Sequence, residues 1–342
     1  MKIKKSLITI ICVMSMILMA CGEKGSIIKN EGAESSQTGN VLELYTTIFP
    51  LEDFANKIGR EYVHVTNLVP VGADAHTYEP TPREMIKVAE GDMFIYSGAG
   101  LEGFADALIE TIKEENVAIV QASANIELTD FEDGHDDYEA ENHDDEGHDH
   151  NEAENPGHNE VEGDALHDHH HDKDPHVWLD PLLAISLAES IKDALIDLMP
   201  EQEETFIANF EQLKSELEDI HAEFQEMVDQ AGNNIFLVSH AGYGYWEERY
   251  GLKQMAIAGV SPTNEPSQRQ LQRIIEFTNE NGLKYILLEQ NISTKIADVV
   301  KNATGVETLY LHNLESLTEK NAGEDYYSLM RKNIEALKIA LQ

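Results

Sequence analysis

Cysteine is almost missing from this 342-residue chain, which has only Cys12 and Cys21. Two cysteines this close to one end cannot clasp a domain, so no disulfide framework is available to hold the fold. Positive charge is also scarce, with 24 Lys and Arg against 64 Asp and Glu and a net charge of −40. Such a surface repels nucleic acid and anionic membrane and suits a protein that meets cations. The signatures of common catalysts are lacking as well: there is no His-Glu-x-x-His pair, no Gly-x-Ser-x-Gly elbow and no phosphate loop. What remains, at 42% apolar residues, is the composition of a globular protein long enough for one large or two modest domains.

The first twenty residues stand apart. Lys2, Lys4 and Lys5 precede an apolar core from residue 7 to residue 20, too short for a comfortable membrane span. The core ends in Leu18-Met19-Ala20-Cys21, which resembles the lipobox of bacterial lipoproteins. The resemblance implies cleavage before Cys21, lipidation of its sulfur and an extracytoplasmic protein anchored to the cell membrane. Residues 21–40, rich in Gly, Ser and Asn without a hydrophobic period, are expected to be a flexible tether.

From Val41 onward strands and helices alternate. Strand patterns fall at 41–45, 62–69, 93–96 and 117–120, with helical patterns at 51–58, 82–90 and 101–115. Asp180-Pro181 makes an N-cap and N1 pair for a helix to about residue 199. Phe206, Phe210, Leu213, Leu217, Ile220, Phe224 and Met227 then recur at steps of three and four, as one long helix would place them. A second series follows, with strands at 235–239, 254–258, 283–288 and 306–310 and helices at 266–281, 293–303 and 326–341. The expectation is an α/β protein: two lobes with parallel sheets flanked by helices, joined by one long rigid helix, with its ligand in the interlobe cleft. The N-terminal lobe is drawn at 41–180, the helices including the strut at 181–231 and the C-terminal lobe at 232–342.

Residues 132–174 break this pattern. They hold 18 acidic residues against one Lys, together with His135, His143, His148, His150, His158, His167, His169, His170 and His171. Too little of the stretch is apolar to bury, so a disordered loop is expected. Its interleaved imidazoles and carboxylates read as an auxiliary, weak metal collector.

Six histidines remain outside that loop. His76 lies past a strand, His176 precedes a helix, and His240 ends the strand before Ala241-Gly242-Tyr243-Gly244-Tyr245. These are positions from which strands deliver side chains into a cleft. Imidazole is the commonest Zn²⁺ ligand, and three imidazoles with one carboxylate complete a tetrahedron. His64, within a strand, and His221, on the long helix, read as structural. His312, close to Glu315, reads more readily as a supporting or surface residue than as a ligand.

Several segments then carry a family resemblance: Ala75-His76-Thr77-Tyr78-Glu79-Pro80-Thr81-Pro82, Asp174-Pro175-His176-Val177-Trp178-Leu179-Asp180-Pro181 and Ser239-His240-Ala241-Gly242-Tyr243-Gly244-Tyr245. Ile257-Ala258-Gly259-Val260-Ser261-Pro262, Glu265-Pro266-Ser267 and Asp325-Tyr326-Tyr327-Ser328-Leu329-Met330 follow in order. Residues 41–342 thereby resemble the zinc-type solute-binding proteins of bacterial ABC importers, the ZnuA/AdcA-like group. These are related to manganese-binding lipoproteins once called adhesins. The resemblance implies His76, His176 and His240 as ligands and points to Glu315 as the fourth, with water as the alternative and Glu289 in a supporting role. It also implies a permease and its ATPase as partners, and a monomer is expected.

Metal identity turns on position 240, where the manganese-type relatives carry a carboxylate. Imidazole-rich sites suit Zn²⁺, although Cu²⁺ and Ni²⁺ compete on affinity alone. The function expected is capture of Zn²⁺ and its delivery to the permease. The alternatives are binding of manganese or another divalent metal, an adhesin-like zinc buffer and, more remotely, a zinc hydrolase with Glu79 as base. Because imidazole must be neutral to ligate, affinity is expected to fall as pH drops through about 6.5.

Overall fold

The computed structural model describes residues 41–130, 173–260, 266–290 and 295–342. The signal segment, Cys21, the tether, the nine loop histidines and the stretch from Ser261 to Glu265 lie outside the described residues.

The first series folds as β1 (Leu42–Thr46), α1 (Phe49–Gly59), β2 (Val63–Asn67), α2 (Pro82–Ala89), β3 (Met93–Tyr96), α3 (Ala105–Ile112) and β4 (Ala118–Gln121). Its strands form a parallel sheet in the order β2-β1-β3-β4. Next come α4 (Pro181–Leu198) and α5 (Glu203–Asp229). The second series is β5 (Ile235–His240), α6 (Gly244–Tyr250), β6 (Lys253–Ala258), α7 (Gln268–Glu280), β7 (Tyr285–Glu289), α8 (Lys295–Thr304), β8 (Glu307–Leu311) and α9 (Tyr326–Ala340). These strands form another parallel sheet, ordered β6-β5-β7-β8. In both sheets the strand order reverses beside the first strand of the series, which puts a ligand-binding crevice at the carboxyl ends of the strands.

Local chemistry sets the helix starts. Asp180 Oδ1 accepts from the Leu182 N–H at 2.8 Å and Pro181 occupies N1, as that pair of residues leads one to expect. Thr81 with Glu84, Ser267 with Gln270 and Asp325 with Ser328 close capping boxes on α2, α7 and α9. The 27-residue α5 buries its whole expected stripe: Phe206, Phe210, Leu213, Leu217, Ile220, Phe224 and Met227. At 1.5 Å per residue it is about 40 Å long. It packs along α4, α1 and α9, so the long helix is embedded in a helical layer. One apolar core runs through that layer and onto both sheets, with smaller clusters under α2 and α3 and under α7 and α8.

Two elements differ from expectation. The α3 helix begins four residues late because Gly98, Ala99 and Gly100 all take positive φ, at 89°, 58° and 80°. The buried Glu102 carboxylate accepts from the Ser97 and Gly98 N–H groups at 2.7 and 3.1 Å, which spends this stretch on a turn. The short α6 helix was not anticipated: seven residues opening on glycine carry no readable period, and Gly251 ends it at φ 67°. Among the described residues, no helix is long and apolar enough to cross a membrane.

Candidate metal centre

Four side chains meet where connections leave the carboxyl ends of strands from both sheets. His76 sits in the loop from β2 to α2, His176 just before α4, His240 at the last position of β5 and Glu315 after β8. One atom from each lies within 4.8 Å of all the others.

The spacing is informative. His176 Nε2 is 3.3 Å from His76 Nε2 and 3.3 Å from His240 Nε2, and Glu315 Oε1 is 3.5 Å from both His76 Nε2 and His176 Nε2. Zinc–nitrogen bonds of 2.0–2.1 Å in a tetrahedron demand ligand–ligand edges of about 3.3–3.4 Å. Four of the six edges are therefore already close to the length a tetrahedral zinc ion requires. His176, His240 and Glu315 are buried, and the side chain of His76 keeps 10% of its surface exposed, so His76 marks the way in.

Each buried imidazole has a carboxylate behind it. Asp174 Oδ1 accepts from both the His176 backbone N–H at 2.9 Å and Nδ1–H at 2.8 Å. Glu289 Oε2, at the end of β7, lies against His240 Nδ1. With Nδ1 protonated, Nε2 carries the free lone pair and faces the centre. The Asp174 segment is held in turn by the Tyr245 hydroxyl, which donates to its carbonyl at 2.8 Å. Gly244 must lack a side chain here, because a Cβ would stand 2.6 Å from Asp174 Oδ2. Glu315 is fixed through its backbone: its carbonyl accepts from Phe49 N–H at 2.9 Å and its N–H donates to Asn313 Oδ1 at 3.2 Å.

Charge balance follows burial. Burial alone would strip the proton from His176, but the Asp174 hydrogen bond and the Glu315 carboxylate outweigh it and raise the group to about 10. Burial pushes Glu315 up, and contacts with His176 and His76 more than reverse this, holding it well below the usual carboxylate range. Asp74, beside the site, is raised by burial and then by the charge of Glu315. The two carboxylates flanking His176 thus favour its protonated form.

The remaining candidates separate cleanly. His64 is exposed and pairs with Glu43 at 2.7 Å, while His221 Nδ1 is 3.0 Å from the Tyr250 hydroxyl. Glu79 is exposed and stands outside the cluster. His312 is buried, not on the surface, and its Nδ1 accepts from the Leu314 N–H at 2.9 Å, outside the four-atom cluster. Burial lowers it to about 4, so it is neutral at physiological pH. No local pattern singles out Asp174, although a carboxylate two residues before a histidine is well placed to take both its backbone and ring N–H. Replacing Asp174 with Ala is expected to weaken zinc binding by roughly 10–100-fold, the usual cost of losing a ligand's orienting partner. Chelator competition measures this, and an unchanged affinity would remove Asp174 from the site's support.

Comparison with known proteins identifies the family of the chain. The family model for "zinc-uptake complex component A periplasmic" matches residues 44–340. Zinc-binding lipoprotein AdcA of Streptococcus pneumoniae is 32% identical over 340 residues, covering 98% of this chain and 60% of the relative. This chain thus spans less than two thirds of the length of the AdcA relatives. The high-affinity zinc uptake system protein ZnuA of Bacillus subtilis is 30% identical over 328 residues, covering 95% of this chain and 94% of the relative. The Zn(II)-bound ZnuA-like domain of S. pneumoniae AdcA superposes with a TM-score of 0.69 at 31% identity, covering 88% of this chain and 99% of that one. The laminin-binding protein Lmb of Streptococcus agalactiae, described as having adhesin and metal-transporting activity, gives 0.71 at 25% identity, covering 88% of this chain and 100% of that one.

Proposed function

Because this chain belongs to the family of periplasmic zinc-uptake component A proteins, we propose that it is the extracytoplasmic zinc-binding component of an ABC importer. It captures Zn²⁺ with His76, His176, His240 and Glu315 and delivers it to a membrane permease driven by its ATPase. The observation that carries this reading is the set of 3.3–3.5 Å separations among four converging ligand atoms, two of whose imidazoles are backed by carboxylates. Three imidazoles favour Zn²⁺ over Mn²⁺, which prefers oxygen-rich shells. Glu315 is proposed as the fourth ligand because its Oε1 lies 3.5 Å from both His76 and His176 Nε2, while Asp174 and Glu289 are committed to imidazoles. Four converging protein ligands suit a cargo site, whereas a catalytic zinc keeps an open position for water.

Around this centre the proposal assigns lipidation to Cys21, an anchored monomer to the mature protein, and weak zinc collection to the histidines between His135 and His171. The lobes divide at the helices of residues 181–231.

The test is competition titration with zinc and manganese of protein lacking residues 132–172, beside the same protein carrying His240→Ala. One tight zinc equivalent and far weaker manganese are expected from the first, with collapse of the zinc affinity in the second. Loss of tight binding with the loop alone would move the site to the histidine tract and defeat the assignment. Uptake of labelled zinc by cells producing the wild type or His240→Ala tests the transport role; equal uptake would refute it.

A further inference from the structure

Glu315 reaches the centre from a backbone that ordinary residues avoid. Leu314, immediately before it, has φ 63°, a left-handed conformation that disfavours side chains with a Cβ. Leucine is present there because its side chain is fully buried, so the usual solution, glycine, would sacrifice core packing. Something must therefore hold the turn.

Two side chains do so in succession. His312 Nδ1 accepts from Leu314 N–H at 2.9 Å, and Asn313 Oδ1 accepts from Glu315 N–H at 3.2 Å. Both bonds span two residues, the pattern by which Asn and Asp side chains mimic a turn. The origin of the His312 ring is itself fixed, because Asn333 on α9 clamps its backbone from both sides. Asn333 Oδ1 accepts from the His312 N–H at 2.8 Å and its Nδ2 donates to the His312 carbonyl at 2.8 Å. Beyond Glu315, the Ser316 hydroxyl donates to the Ala73 carbonyl at 2.6 Å and the Leu317 carbonyl accepts from Gly72 N–H at 2.8 Å. The loop is thus tied to α9 on one side of Glu315 and to the His76 loop on the other.

We propose that His312 is a positioning residue for the zinc site, its ring acting as a turn acceptor that holds Leu314 left-handed and aims the Glu315 carboxylate at His76 and His176. It does not touch the ion. This inference rests on Glu315 being a ligand, as the proposed function has it.

The experiment is a double-mutant cycle read by zinc competition on the full chain. His312→Phe keeps the ring's bulk and removes the acceptor, while His312→Asn supplies an Asx-type acceptor two residues before the same N–H. His312→Phe is expected to weaken zinc on the order of tenfold, within the range for groups that orient a metal ligand, and His312→Asn to restore most of it. In the Glu315→Gln background, His312→Phe is expected to cost little more, because its effect passes through the carboxylate. Co²⁺ in place of zinc supplies a second reading, with His312→Phe changing the visible bands toward those of Glu315→Gln. If Glu315→Gln costs affinity and His312→Phe does not, or if the two losses simply add, the positioning role is wrong and the ligand assignment stands. If Glu315→Gln leaves zinc binding untouched, the ligand assignment falls and this inference with it.

Discussion

Zinc titrated into the His176→Ala variant is expected to bind on the order of 100–1,000-fold more weakly than to the wild type. Structural zinc sites hold the ion with about 10–16 kcal/mol, so one ligand in four accounts for about 2.5–4 kcal/mol. His176 is the ligand to remove because it touches every other member: 3.3 Å to each of two imidazoles and 3.5 Å to Glu315. A second effect separates this variant from other ligand deletions. His176 is the cation between Asp174 and Glu315, and its loss leaves two buried carboxylates without their shared partner. Breaking a buried pair in this way costs about 3–5 kcal/mol of stability. Apo His176→Ala is therefore expected to melt well below the apo wild type near neutral pH, and the gap is expected to narrow in acid as the carboxylates take up protons. Chelator competition and apo thermal unfolding check the two halves. Unchanged affinity would remove His176 from the site, and unchanged melting would mean that it carries no proton there.

How much of this was readable beforehand depended on the kind of signal. The alternation of strands and helices, the Asp180-Pro181 helix start and the α5 stripe are local patterns, and the structure follows them closely. The convergence of His76, His176, His240 and Glu315 joins residues from the loop after β2, the end of β5, the loop after β8 and the approach to α4, and no local rule brings these together; ordered family motifs supplied that expectation. Glu289 and His312 could be read as supporting residues in advance, but the way the support works was hidden for physical reasons. Asp174 matters through the direction of one oxygen, Gly244 through a Cβ it does not have, and His312 through a backbone dihedral two residues away. Hydrophobic period carries none of these. The same holds for the residues 98–100 turn, where an alanine flanked by two glycines adopts a conformation its identity does not advertise.

Zinc affinity is expected to keep rising well above the ordinary histidine range, by close to tenfold per pH unit between pH 6.5 and 8.5. The imidazole most central to the site is held protonated up to about 10, so each zinc ion that binds must expel that proton. The sign can be checked on the apo protein. A group whose folded pKa is raised from 6.5 to about 10 contributes stability that is complete below 6.5 and lost as pH climbs toward 10. Apo stability should then fall by about 1.4 kcal/mol per pH unit across that window. Glu315 is shifted the opposite way, so its contribution is lost only in acid and does not flatten this slope. Zinc-bound protein, with His176 neutral and ligated, should lack the slope, and the apo and zinc-bound melting curves should diverge as pH rises. Calorimetry in buffers of different ionisation enthalpy should find about one proton released per zinc near pH 7.5. A flat affinity profile with no proton release would place the stored proton elsewhere and remove this linkage. If the slope is found, a proton is the ion's resident competitor, and any step that returns it to His176 also weakens the hold on zinc.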